Sequence, residues 1–319
     1  MPDLLPPHFA IRRASARAVI TLAIALGLAA CSAATPSISP AGSSVPPASS
    51  EAPSASPGSS PSSVVGAIDH ATGATDIVLR LDQGGGFVPL DFLAAQAPSF
   101  TLYGNGVIVF QQKATAAPQP DASGVIHNLP WRTAKLDESQ IQELLGFAIT
   151  QGDLGTAREA YMGHIADAPS TIFTLHAGGL DKIVHVSALG EDTAQGPDAT
   201  ARTAFLGLAN RLQDFDHGGT ISSDVFEPAA YRGILVTRDP DATVAIAWPW
   251  PAIKPTDFKE GPNDGSGGIL LAHRTMTPDE VAATGIKDVA GGIQGMVLKG
   301  ADSKRYGFTA RPLLVDEKE

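Results

Sequence analysis

The pattern predicts an α+β fold: a mixed or antiparallel sheet with helices packed on one face, a smaller C-terminal α+β lobe, and a disordered N-terminal tether. Three observations lead there. Short β-type runs separated by glycine-centred turns recur from residue 66 onward, and two helical periodicities interrupt them. Ahead of them, 26 of the 32 residues at 32–63 are Ser, Pro or Ala, with Glu51 the sole charge, so that stretch lacks the apolar side chains a core requires.

Taken in order, Ile77-Val78-Leu79-Arg80-Leu81 reads as a first strand, and residues 99–103 and 107–110 read as a hairpin across Gly104-Asn105-Gly106. Asn-Gly is expected there because such turns demand positive φ. Asp137 suits the N-cap of a helix whose Ile141, Leu144, Leu145 and Ala148 share one face, ending near Gly152. Residues 171–177 and 182–189 form a second predicted hairpin around Gly178-Gly179. A second helix follows Asp198, with Ala201, Ala204, Phe205, Leu208 and Leu212 on its buried side. Hairpins interleaved with helices cannot build a purely parallel sheet, so helices layered on a mixed sheet are the natural solution.

After His217-Gly218-Gly219, strands are expected at 231–237 and 243–247, then a Pro/Gly-rich loop from 249 to 268. A short helix has its own start signals: Thr277 to cap, Pro278 in the first turn, Asp279 and Glu280 at the positive end, Gly285 to stop it. Residues 294–298 and 306–311 close with a hairpin. The expected organisation is a signal segment at 1–30, a lipidated cysteine and tether at 31–65, an α+β domain at 66–222 and a C-terminal α+β lobe at 223–319.

With 22 basic and 33 acidic residues the net charge is −11, and no run of Lys and Arg occurs. Nucleic acid is therefore not an expected partner, since phosphate backbones are held by clustered cations that displace counterions. At the N-terminus, Arg12, Arg13 and Arg17 precede thirteen uncharged residues, 18–30, rich in Leu, Ile and Ala. That is the charged-then-apolar layout of an export signal. As a helix it spans only about 20 Å, short of the ~30 Å hydrocarbon core, so cleavage is expected in place of a retained span.

The apolar run ends in Leu28-Ala29-Ala30-Cys31, and Cys31 is the one cysteine in the chain. The motif resembles the lipobox of bacterial lipoproteins, which implies cleavage before Cys31 and membrane anchoring through lipid on its sulfur. With that thiol used, no disulfide is available and the exported part holds together by packing alone. The tether that follows reaches roughly 30 Å as a flexible coil and about 100 Å as polyproline II.

A wider resemblance rests on Gly84-Gly85-Gly86-Phe87-Val88-Pro89, on Pro98-Ser99-Phe100-Thr101-Leu102-Tyr103-Gly104-Asn105-Gly106, on Asp167-Ala168-Pro169-Ser170-Thr171, and on Arg311-Pro312-Leu313-Leu314-Val315-Asp316-Glu317. Over residues 75 to 319 these resemble a family of uncharacterised bacterial exported lipoproteins. Members commonly carry Asp in place of Asn105 and Pro in place of Val315. The resemblance implies an envelope location and brings no activity with it.

Several local patterns invite chemistry and fall short of it. Gly84-Gly85-Gly86 lacks the Gly-Lys-Ser/Thr of a phosphate loop, and Phe87-Val88-Pro89 cannot begin the helix such a loop needs, so a bulge or sharp turn is expected. Asp264-Gly265-Ser266-Gly267-Gly268 has an intervening glycine that breaks the serine-protease order. His176 and His185 fall on one face of the second hairpin if the register sum is odd, yet two imidazoles alone do not make a zinc site. His127, His164 and His273 are scattered, no metal is expected, and no cofactor motif is present.

Trp248-Pro249-Trp250-Pro251 is the most unusual feature, because prolines fix an extended backbone and aim both indoles. Trp248 and Trp250 are candidates for stacking on a sugar or on a partner's apolar surface, weighed against plugging the C-terminal core. Tyr103, beside the Asn-Gly turn, is a third binding candidate weighed against packing. Arg311 is expected to pair with one of the many carboxylates.

These features together lead to the expectation of a cell-envelope lipoprotein anchored through Cys31, whose ectodomain binds a small molecule or an envelope protein without catalysis. The alternative is an exported hydrolase of cell-wall or polymer substrate that uses convergent carboxylates.

Overall fold

A computed structural model describes residues 66–89, 92–93, 95–191, 196–217, 221–238, 245–262 and 270–317. The signal segment, Cys31, the tether and the 264–268 loop lie outside the described residues. All described residues belong to one compact unit, and its fold is α+β with two sheets.

The first sheet has eight strands. In chain order they are β1 (Ile77–Gly85), β2 (Phe100–Tyr103), β3 (Val107–Gln111), β5 (Trp131–Lys135), β6 (Ala160–Tyr161), β7 (Pro169–Ala177), β8 (Leu180–Ser187) and β9 (Asp224–Val225). Their spatial order is β6-β8-β7-β1-β2-β3-β5-β9, antiparallel throughout except for the β6–β8 pair. β4 (Ile126–His127) belongs to the second sheet, with β10 (Tyr231–Arg238), β11 (Ile246–Ala247), β12 (Lys259–Pro262), β13 (Leu270–Met276), β14 (Ile293–Lys299) and β15 (Arg305–Pro312). Its main order is β11-β14-β15-β10-β13-β12, and β4 also pairs with β14.

Helix α1 (Glu138–Thr150) follows the sequence reading closely. The Asp137 carboxylate accepts from the Gln140 amide, Gln140 returns the bond, and Ile141, Leu144, Leu145 and Ala148 are buried. Helix α2 (Ala199–Gln213) buries Phe205, Leu208 and Leu212 as expected, but also Arg202 and Ala209, while Asp198 makes no side-chain cap. Arg202 is tolerated inside because its guanidinium donates to the carbonyls of Tyr161, Ser187 and Ala188. Both helices cover one face of the first sheet, where Phe100, Leu102, Ile108, Phe110, Phe173 and Phe205 are packed. Each such side chain contributes about 1.5–3 kcal/mol by leaving water.

β2 is buried at all four positions because both faces are covered. Phe100 and Leu102 face the helices, while Tyr103 joins Val109, Trp131, Phe226 and Leu314 in a separate cluster. That cluster draws on residues from both sides of the expected 222/223 boundary. Strands cross it too, since β4 pairs with β14 and β9 pairs with β5.

The turn at Asn105-Gly106 finds its expected positive φ at the glycine. Only Gly106 is left-handed, at φ +82°, and its amide donates to the Tyr103 carbonyl at 2.8 Å. A Cβ there would sit 2.7 Å from the Leu136 carbonyl oxygen. The second hairpin turns through Gly178 and Gly179, both at positive φ. β1 extends through Gly85, which pairs with Pro169, and the chain then turns at Gly86, at φ +88°.

Strands β5, β12 and β13 are the main departures from the sequence reading. β12 lies within the segment read as a Pro/Gly-rich loop, and as an edge strand it accommodates Gly261 and Pro262. β13 carries His273, Arg274 and Thr275 in half-buried positions, so it lacks clean alternation. Helix α3 (Pro278–Ala282) has the expected Thr277 cap with reciprocal bonding to Glu280. Of the strand expected at 243–247, Ile246–Ala247 is present, and 243–244 lie outside the described residues.

Candidate functional site

The registers Leu81↔Phe100, Phe100↔Phe110 and Gln111↔Trp131 align one end of four neighbouring strands of the first sheet. Gln83, Ser99, Gln111 and Trp131 therefore gather at that end. The second sheet arrives beside them because only Asn128, Leu129 and Pro130 separate β4 from β5. The Asn128 amide donates to the Gly292 carbonyl at 3.1 Å, which fixes the start of β14 against this bridge.

Between these elements lies a cavity of about 260 Å³. Its wall includes the amides of Gln83, Gln96, Gln111, Gln112, Asn128 and Gln294. Gln111 Nε2 donates to the Ala97 and Pro98 carbonyls at 3.3 and 3.2 Å, and Gln294 Nε2 donates to Asn128 Oδ1 at 2.9 Å. Gln112 Nε2 donates to the carboxylate of buried Asp216 at 2.8 Å. The Gln96 Oε1 atom is shielded from solvent and accepts no hydrogen bond. An acceptor left in that state costs about 1–3 kcal/mol. Apolar surface comes from Phe92 and Leu129, 52% and 46% exposed, while the Trp131 ring is buried and stacks on Phe226 at 6.1 Å.

Among the described residues lining this cavity there is no Asp, Glu, His, Lys, Arg or Cys. Its chemistry is that of neutral donors and acceptors, suited to hydrogen bonding without proton transfer at neutral pH. Among the described residues, no group of three or more His, Cys, Asp or Glu is placed to hold a metal ion.

Tyr103 lies apart from the cavity wall, in a polar network closed by the C-terminal segment. It is 1% exposed, and its hydroxyl donates to Asp316 Oδ1 at 2.5 Å. Arg80 Nη2 reaches the same oxygen at 2.7 Å. Burial first, then the Asp316 carboxylate, pushes the Tyr103 phenol well above its ordinary range. Arg311, 1% exposed, makes a two-pronged contact to Glu317 at 2.9 and 2.6 Å, and Glu317 also accepts from the Leu314 amide. The carboxylate expected for Arg311 is thus six residues away along its own chain. Nearby Asp82 is raised above the usual carboxylate range by burial, against the pull of the Gln83 amide, Arg80 and Arg311.

Trp248 and Trp250 sit in the core of the second sheet. Trp250 is 4% exposed and meets Trp248 edge-on at 5.1 Å, with Phe258, Tyr306 and Phe308 around them. Both indole N–H groups donate to backbone, Trp248 to the Ile253 carbonyl and Trp250 to the Glu280 carbonyl, each at 2.6 Å.

His176 and His185 do share the outer face of the β7–β8 hairpin. Their positions are four residues apart, because His185 pairs with Ile172 and His176 with Asp181. At about 3.3 Å per residue they lie too far apart to share one ion. His176 Nδ1 lies 2.8 Å from Asp181. His127 contacts Asp121, and His273 Nδ1 faces the Leu271 carbonyl.

The cavity amides were not legible as a site in the sequence. The one local hint is Gln111-Gln112, a polar pair that ends an otherwise apolar strand. Comparison with protein-family models, curated proteins and solved structures finds no match for this chain.

Proposed function

We propose that this chain is a cell-envelope lipoprotein, anchored to the outer face of a bacterial membrane through lipid on Cys31, whose α+β ectodomain binds a ligand or partner without catalysis. The observation that carries the binding half is the cavity between the sheets, walled by six amides and no ionisable side chain among its described lining. Such a wall can select by hydrogen-bond complementarity and offers no acid or base for turnover. The anchoring half is supported by Leu28-Ala29-Ala30-Cys31 after a thirteen-residue apolar run, by the Ser/Pro/Ala tether, and by the resemblance to exported lipoproteins. Removing residues 1–30 takes away three Arg and Asp3 and leaves a net charge of −13. A surface of that sign is repelled by anionic headgroups, which leaves the lipid and tether to hold it near the bilayer.

The test is fractionation of cells producing the wild-type chain or Cys31→Ala, with and without globomycin. Accumulation of the unprocessed form under globomycin and loss of the mature, lipid-anchored form in Cys31→Ala are expected. A Cys31→Ala chain that is still processed and still in the membrane fraction overturns the anchoring.

A further inference from the structure

Resting on the binding reading above, we propose that the cavity between the sheets takes one uncharged pyranose ring, either a free sugar or the end of a neutral polysaccharide. Size is the first ground. At about 260 Å³ it falls just below the roughly 300–1,000 Å³ of pockets that bury drug-sized molecules, which leaves room for a single small ring.

Hydrogen-bond character is the second. A sugar hydroxyl both donates and accepts, and a carboxamide is the neutral side chain that offers both roles from one rigid plane. Six of them converge here from β1, β3, β14 and three connecting segments. Several have capacity to spare: among the described residues the Gln83 side chain meets no hydrogen-bond partner and Asn128 uses only its Oδ1 toward Gln294, while Gln96 Oε1 is buried without a donor. A small rotation of the Gln96 side chain would let a ligand hydroxyl supply that donor.

The third ground is the apolar edge. Phe92 and Leu129 keep about half of their surface open beside the amides, and the C–H face of a pyranose is the part of a sugar that rests on such surface. A charged ligand is disfavoured because the lining holds no counter-ion for it, and a buried ion without a partner costs several kcal/mol.

Titration calorimetry on the full chain in mild detergent, with tryptophan fluorescence, to which the cavity-lining Trp131 contributes, as a second readout, tests this. The probes are glucose, N-acetylglucosamine, maltotetraose and chitotetraose, with glucuronate and glucosamine as charged counterparts and di-alanine and tri-alanine as peptides. At least one neutral sugar is expected to bind saturably at one site, with its charged counterpart at least tenfold weaker. Equal affinity of ring and tetramer assigns a free sugar; a tighter tetramer assigns a polymer end. Phe92→Ala, at an exposed position, and Gln96→Met, which removes the orphaned acceptor, are each expected to weaken binding at least fivefold. Neither is expected to lower the melting temperature.

Three results overturn the proposal: silence from every neutral sugar, binding of the peptides in their place, or sugar binding indifferent to both substitutions. Peptide binding would refute the sugar class while leaving a binding ectodomain in place. Retention of processed Cys31→Ala in membranes would refute the anchoring alone.

Discussion

Replacing Glu317 with Ala removes the carboxylate that forms the two-pronged ion pair with Arg311, and the burial of the pair sets the size of the effect. The two side chains are 1% and 6% exposed, so water cannot take the place of the lost partner. Breaking a buried pair from one side costs about 3–5 kcal/mol. For a domain of this size, at about 2–4 °C per kcal/mol, the melting temperature falls by roughly 6–20 °C. Removing both charges is a different perturbation. Arg311 Nε has no acceptor, so the native pair does not fully offset its own desolvation, and Arg311→Met with Glu317→Met should recover most of the loss. The assay is urea unfolding of the full chain followed by near-ultraviolet circular dichroism, with the slope checked for constancy. Glu143→Ala serves as the surface control. Its partner Arg211 is 30% exposed and Glu143 72% exposed, so the change should stay below about 1 kcal/mol. A Glu317→Ala chain within 1 kcal/mol of wild type, or a double variant no more stable than the single one, would refute the reasoning.

Two further outcomes follow from the same structure. Burial raises Asp82 in the folded state, so its contribution is most favourable below the unfolded value of about 3.9 and is lost as pH rises through the folded value. Asp82→Asn should therefore stabilise at pH 7 and make no difference near pH 3, and a gain that persists at pH 3 would contradict the assignment. Trp250→Ala empties a buried indole site and frees the Glu280 carbonyl, which should lower stability by about 3–5 kcal/mol. Sugar affinity at the cavity should not change with it, and a selective loss of binding without loss of stability would return the indole to the stacking role.

Which features were legible beforehand depends on how far apart in the chain their causes lie. Helix α1 was readable because a cap, a period and a stop all fall within residues 137–152. The hairpins at Gly104-Asn105-Gly106 and Gly178-Gly179 were readable because turn residues act on their own φ angles. β13 was not, since His273, Arg274 and Thr275 are half-buried by neighbouring strands that no local window contains. The carboxylate partner of Arg311 was expected from its charge, but its burial and that of Arg202 were not, because the carbonyls and the carboxylate that satisfy them are brought together by the fold.

By itself, then, the sequence determined the two long helices, the strands that flank glycine turns, the α+β class and the presence of a single lipobox-like cysteine, all of which depend on neighbours within a few positions. Tertiary structure alone decided that β4 joins the second sheet and β9 the first, across the expected 222/223 boundary, that Asp316 and Glu317 fold back onto Arg80, Tyr103 and Arg311, and that six separate amides share one wall. A glutamine carries no local signature of its role, because its hydrogen bonds are set by whichever groups long-range strand pairing places within about 3 Å of it.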